Sequence, residues 1–148
     1  MGAPLEAYER LMLRHSEEIN SLGIYYAFGS KAEIEEQLIQ KANVKSLDEL
    51  EPVLWGGWMR KGESHKFYDA LKRQAQELKQ AILSTTASDG LAYQAFYYEI
   101  VNHECAYTGN YEDALRVLPV SWREIQNTPV LREAWSKAKK RAIAELDY

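Results

Sequence analysis

Residues 90–109 read GLAYQAFYYEIVNHECAYTG, and this stretch predicts the central element of the fold. Apolar and aromatic residues occupy most helix faces up to position 105, which predicts a central, buried helix capped by Asp89. The following YTGN turn must reverse the chain, because Gly109 or Asn110 can take a positive φ. The sequence therefore predicts one buried helix that ends in a polar corner.

Helix signals flank this segment on both sides. A serine followed three residues later by glutamate forms a capping box at residues 30–33, 46–49 and 121–124. Pro4 and the Thr128-Pro129 pair mark two further helix starts. Apolar residues at three- and four-residue steps predict a long helix over residues 64–83. These signals indicate a mostly helical chain of about six helices.

Two short segments have strand character. Residues 23–29 (GIYYAFG) and 53–59 (VLWGGWM) are rich in aromatic and β-branched residues. We expect them to pair as a ribbon, with Gly56 and Gly57 forming a bulge or admitting a close backbone or ligand. The predicted fold class is α+β, predominantly helical, with a small two-stranded antiparallel β-ribbon.

Composition narrows the possible functions. The chain has 148 residues without a linker-like segment, so residues 1–148 are predicted to form a single domain. Its net charge is −4, and its dense basic run, at residues 137–141, is typical of a solvated helix end. Both observations argue against direct nucleic-acid binding. Cys105, the single cysteine, permits no intrachain disulfide and suits the cytoplasm. No apolar run approaches the length of a membrane span, so no membrane association is expected.

The polar corner is the first candidate site. Glu99 and His103 lie four residues apart and share a helix face, but two ligands fall short of a zinc site. We therefore predict no metal, no cofactor and no catalytic residue. A structural role is favoured, in which Asn102 and His103 satisfy carbonyls at the helix end. A small metal-dependent or hydrolytic enzyme centred on Glu99, His103 and Glu104 is the alternative. The corner comprises Glu99, Asn102, His103, Glu104, Tyr107, Thr108 and Gly109.

A second group of residues is predicted to bind a partner. Trp55 and Trp58 flank the paired glycines, where they form either an aromatic edge for a partner or part of the core. Six acidic residues are also candidates: they can face a basic surface of a partner, or they can form a solvated helix face. The acidic candidates are Glu33, Glu35, Glu36, Asp48, Glu49 and Glu51.

Three segments resemble a family of small uncharacterised proteins of bacteria, phages and mobile elements. They are GIYYAFGSKAEIEEQL at residues 23–38, LWGGWMRK at 54–61 and YEIVNHECAYTGNYEDALRVL at 98–118. The third is the specific one, because it carries the family's YExxNHExxYTG segment followed by EDxL. The resemblance places the family core at residues 23–120 and makes residues 1–22 and 121–148 helical additions.

The resemblance implies a biological context rather than a reaction. The expected function is that of a non-enzymatic phage or mobile-element protein in the cytoplasm of a bacterial host. It would bind a host protein or nucleoprotein complex, with a defence nuclease such as a CRISPR effector as the leading target, and inhibit it by surface occlusion. The remaining alternative is a structural protein that self-associates, for example as a homodimer.

Overall fold

The computed structural model describes the backbone of residues 3–146 and the side chains of residues 7–146. Within this part, eight α-helices and one two-stranded antiparallel sheet confirm the predicted, predominantly helical α+β class. The helices are α1 (Ala3–Asn20), α2 (Lys31–Ala42), α3 (Ser64–Leu83), α4 (Leu91–Asn102), α5 (Cys105–Thr108), α6 (Glu112–Val117), α7 (Trp122–Asn127) and α8 (Pro129–Ala144). The strands are β1 (Leu50–Pro52) and β2 (Trp58–Arg60).

The chain divides into two compact units. The helical unit consists of the described parts of Met1–Met12 and Gln74–Tyr148, and the ribbon unit is Leu13–Arg73. Each unit has its own buried apolar cluster, and the ribbon unit has two.

Helix α4 lies at the centre of the helical unit, as its sequence predicts. Its inward residues pack against α8, where the rings of Phe96 and Trp135 meet edge to face at 5.5 Å. Gln94 is also buried, and its side-chain oxygen accepts a hydrogen bond from the backbone N–H of Tyr8 at 3.0 Å. This bond meets the requirement that a buried amide be paired.

Both predicted ends of α4 need correction. Asp89 is not the cap, because Gly90 occupies that position and makes no side-chain cap bond. The helix stops at Asn102 rather than at position 105, because Glu104 takes the left-handed conformation with φ 53°. A left-handed residue interrupts the helical hydrogen-bond ladder, so Cys105 begins a separate short helix.

The predicted strand pairing is wrong in its partners, although a two-stranded antiparallel sheet is present. Residues 53–59 do not form one strand, because Trp55 and Gly56 have φ values of 65° and 80° and turn the chain back. Strand β2 therefore pairs with β1, with Leu50 opposite Arg60. The predicted strand at 23–29 contributes one isolated bridge, in which Tyr25 and Trp58 exchange backbone hydrogen bonds of 2.8 Å.

The three capping boxes are confirmed. Ser30 with Glu33 opens α2, and Ser121 with Glu124 opens α7. Ser46 with Glu49 opens a single 3₁₀ turn that leads into β1. Each box satisfies N–H groups that a helix start leaves without partners.

No helix in the described part of the chain is both long enough and apolar enough to cross a membrane.

Gly57 supplies a stability test for the ribbon unit. A Cβ at this position would lie 2.5 Å from Cγ2 of Ile24 and 3.1 Å from Cγ2 of Val53. The close approach that the paired glycines predict is thus made by side chains of the protein itself. Gly57→Ala should lower the free energy of unfolding by about 1–3 kcal/mol, as overpacking does. Chemical denaturation measures this loss.

Ile24→Ala removes the clashing methyl group and serves as the background control. The cost of Gly57→Ala should be smaller in the Ile24→Ala protein, because the two positions are in contact. Equal costs in both backgrounds would contradict the steric explanation.

Candidate functional site

The corner after α4 is built by two left-handed residues. Glu104 (φ 53°) separates α4 from α5, and Gly109 (φ 80°) ends α5. The N–H of Gly109 donates to the carbonyl of Cys105 at 2.8 Å, and the N–H of His103 donates to the carbonyl of Glu99 at 3.1 Å. These backbone bonds satisfy carbonyls at the two helix ends.

Short polar side chains carry the turn into α6. The N–H of Asn110 donates to the hydroxyl of Thr108 at 3.2 Å, and Oδ1 of Asn110 accepts from the N–H of Glu112 at 2.9 Å. Asn110 therefore satisfies a donor in the first turn of α6, although Tyr111 is the residue at the cap position. This local network explains the YTGN part of the motif without a ligand.

Glu99 and His103 are in contact, as their spacing predicts. Nε2 of His103 lies 3.4 Å from Oε1 of Glu99, and both side chains are largely covered. Burial raises the pKa of the Glu99 carboxyl, and the neighbouring His103 offsets part of this effect. An ionised carboxylate at this position is thus held at an energetic cost.

The structure adds Tyr8 to this group. Its ring centre lies 5.6 Å from that of Tyr98, and burial, assisted by the charge of Glu99, raises the pKa of its hydroxyl. Tyr8 belongs to the apolar stripe of α1, and Gln94 is a polar residue on the buried face of α4. A glutamine within an otherwise apolar helix indicates a buried hydrogen bond, because a buried amide needs a partner. Gln94 was therefore the sequence signal for this contact.

Asn102 of the corner and the neighbouring Cys105 lie in different environments. Cys105 is fully buried, and burial raises the pKa of its thiol, which is the opposite of what activates a nucleophile. Asn102 is exposed at the end of α4. Among the described residues, no three His, Cys, Asp or Glu side chains are grouped closely enough to hold a metal ion.

Trp55 and Trp58 lie in different environments. Trp58 is half-buried and packs against the cluster that includes Leu38 and Leu50. Trp55 is 72% exposed, and its ring meets that of Phe67 edge to face at 5.7 Å. The two alternatives for the tryptophans therefore divide between them, with Trp58 in the core and Trp55 at the surface.

Half of the acidic candidates have local structural roles. Glu33 accepts from the backbone of Ser30, and Glu49 accepts from the N–H groups of residues 45 and 46. Glu51 accepts from the N–H groups of residues 62 and 64. Glu35, Glu36 and Asp48 are exposed and have no such role in the described structure.

A groove of about 170 Å³ beside the corner was not foreseen from the sequence. It lies within the helical unit, where the end of α4 and the start of α5 approach the end of α8. Glu104 and Tyr107 of the predicted corner contribute to its wall. Its residues come from segments about forty positions apart, so no local pattern indicates it. The lining residues are Ile100, Val101, Glu104, Ala106, Tyr107, Ala142, Glu145 and Leu146.

The Glu99 carboxyl predicts a specific pH dependence of stability. The pKa of Glu99 is higher in the folded than in the unfolded protein. The free energy of unfolding is therefore highest below the unfolded-state pKa, and part of it is lost as the pH rises through the folded-state pKa. Glu99→Gln keeps an acceptor for His103 and removes the buried charge. At pH 8, above the usual range of histidine titration, this variant should be more stable than the wild type.

Urea denaturation at pH 8 and at pH 4 measures this effect. The advantage of Glu99→Gln should shrink at pH 4, where the wild-type carboxyl is protonated. Glu112→Gln, at an exposed position of the same region, should show no comparable change between the two pH values. A Glu99→Gln protein that is less stable at pH 8 would contradict this prediction, because the carboxylate would then make a net favourable contribution at this position.

Comparison with protein-family models gives a match over most of the chain. No curated protein and no solved structure matches the chain. A family of unknown function, DUF7659, matches residues 7–141, which include most of α1 and nearly all of α8. The match is thus wider than the 23–120 core to which the sequence resemblance was assigned. Because it covers most of the sequence, the chain belongs to the family of unknown function DUF7659.

Proposed function

We propose that this protein acts by binding rather than by catalysis, as a phage or mobile-element accessory protein that inhibits or modulates a host factor. The leading target class is a nucleic-acid-targeting defence nuclease such as a CRISPR effector, which it would block by covering a surface in the host cytoplasm. The biological context comes from the sequence resemblance. The physical support comes from Trp55.

Trp55 combines a strained backbone with an exposed indole. A bulky residue at φ 65° is an outlier, and the left-handed conformation costs roughly 1–2 kcal/mol for residues other than glycine. The ring contributes little to the core, because 72% of the residue is exposed. Backbone strain of this kind is concentrated at functional sites.

The surroundings of Trp55 fit a protein-binding surface. Leu54, the residue before Trp55, and Tyr68 are also exposed, and the ring of Phe67 is in contact with the rings of both Trp55 and Tyr68, at 5.7 Å and 5.1 Å. Tryptophan and tyrosine are enriched among the residues that dominate binding energy in interfaces. We define the Trp55 surface as Leu54, Trp55 and Tyr68, and we propose that it contacts the host factor.

The charge distribution agrees with a basic partner. The protein carries a net charge of −4, and Glu35, Glu36 and Asp48 in the ribbon unit are free of capping roles. Acidic side chains of this kind attract the positively charged channel of a nucleic-acid-binding enzyme at long range. Their main effect would be on the association rate, and it would weaken at high salt.

Trp55→Asn tests the proposal, since asparagine tolerates the left-handed conformation. In cells with an active CRISPR nuclease, the wild-type protein should protect a targeted plasmid, and Trp55→Asn should reduce this protection at least tenfold. Plasmid retention measures the effect. If the wild type protects against none of the host's nucleases, the target class is wrong. If pull-downs also recover no partner, the binding function is wrong.

A stability control accompanies this experiment. Trp55→Asn should change the free energy of unfolding by less than about 1 kcal/mol, because relief of backbone strain offsets the lost contact with Phe67. Trp135→Ala, at a buried position in the helical unit, should cost about 3–5 kcal/mol. A large destabilisation by Trp55→Asn would mean that the indole is a structural element.

A further inference from the structure

The groove beside the corner has an apolar interior. Aliphatic side chains of Ile100, Val101, Ala106, Ala142 and Leu146 form most of its wall. Its volume of about 170 Å³ is close to that of an engineered apolar cavity of about 150 Å³ that admits benzene. The groove therefore has room for a short alkyl chain of four or five carbons.

Exposed apolar residues border the groove. Tyr107, on the four-residue helix α5, is 80% exposed, and Val101 is 48% exposed. The face of an exposed tyrosine ring attracts cations as well as apolar groups. An occupant that covers Tyr107 and Val101 would remove apolar surface from water.

The two charged groups that line the groove are both carboxylates. Glu104 and Glu145 line it, and no basic residue does so in the described part of the chain. Glu145 is partly compensated, since it accepts hydrogen bonds from Tyr97 and Arg141, which hold the pKa of its carboxyl below the usual value. Glu104 makes no ion pair with any described residue, so its charge is available to an occupant.

Glu104 has a strained backbone conformation. It adopts φ 53° at the break between α4 and α5, where glycine or asparagine would be less strained. The turn requires a left-handed residue, but it does not require a carboxylate. The charge at this position is therefore unexplained by the fold.

We infer that this groove binds the side chain of a lysine or arginine presented by a protein partner. The alkyl stem lies on the apolar wall, and the charged head group meets Glu104, the exposed face of Tyr107 and the outer edge of Glu145. Long basic side chains bury their stems along apolar surfaces while the charge stays hydrated. The carboxylates disfavour an anion, and a purely apolar occupant would leave Glu104 without a partner. That the cation belongs to a protein partner rests on the proposed function, whereas the groove itself does not.

n-Butylammonium, which reproduces the end of a lysine side chain, is the probe. Titration into the full-length protein should shift the methyl resonances of Val101, Ala106 and Ala142 in carbon–proton NMR spectra. Its affinity should exceed that of neutral n-butanol by about fivefold, as expected for one exposed charge pair, and butyrate should bind more weakly than n-butanol. Added salt should reduce the difference.

Two variants separate the charge from the apolar wall. Glu104→Gln should lower the affinity for n-butylammonium toward that for n-butanol, and Tyr107→Ala should weaken the binding of both. Glu112→Gln, at an exposed position outside the groove, should leave both affinities unchanged. Thermal unfolding of each variant verifies that the fold is retained.

Several outcomes would overturn the inference. These are equal binding of n-butylammonium and n-butanol, shifts outside the groove only, an unchanged affinity in Glu104→Gln, or no shift at all. A dimer in light scattering that Tyr107→Ala converts to a monomer would also overturn it, because the occupant would then be a second copy. A failed titration leaves the Trp55 plasmid assay unaffected, and a failed plasmid assay leaves the titration unaffected, so the two proposals fail separately.

Discussion

The contact between α4 and α8 is the packing constraint on which the helical unit depends. Trp135 on α8 meets Phe96 on α4 edge to face, and it also contacts the rings of Tyr111 and Trp122. Aromatic rings bury large areas and prefer such tilted arrangements. This one indole of α8 therefore joins α4, the residue that precedes α6, and α7. The packing fixes α4 against α8, and the corner forms at the carboxyl end of α4.

The corner then serves two purposes. Its backbone bonds end α4 and α5, and the Thr108–Asn110 turn starts α6, so most of the motif is accounted for by folding. Glu104 and Tyr107 are different, because the turn needs their backbone but not their side chains. Those two side chains face a groove whose opposite wall comes from α8. The backbone of this segment thus forms the turn, whereas the side chains of Glu104 and Tyr107 line the proposed binding groove.

The ribbon unit shows the same separation. Trp58, Met59 and Phe67 hold its small clusters together, and Gly57 is required because neighbouring side chains fill the space above it. Trp55 lies three residues from Trp58 and yet is turned to solvent by a left-handed backbone. A core role and a surface role are therefore assigned to two tryptophans that look equivalent in sequence, and only the exposed one is a candidate for partner contact.

The sequence by itself determined the features that depend on residues close together along the chain. The capping boxes opened by Ser30, Ser46 and Ser121, the Glu99–His103 contact and the buried face of α4 all depend on residues within about one helical turn. The strand partners, the end of α4 and the groove were decided by tertiary structure. Strand pairing depends on which distant backbone comes alongside, and the left-handed turn at Trp55 redirected it. The groove requires α8 to approach α5, and no local pattern encodes that distance.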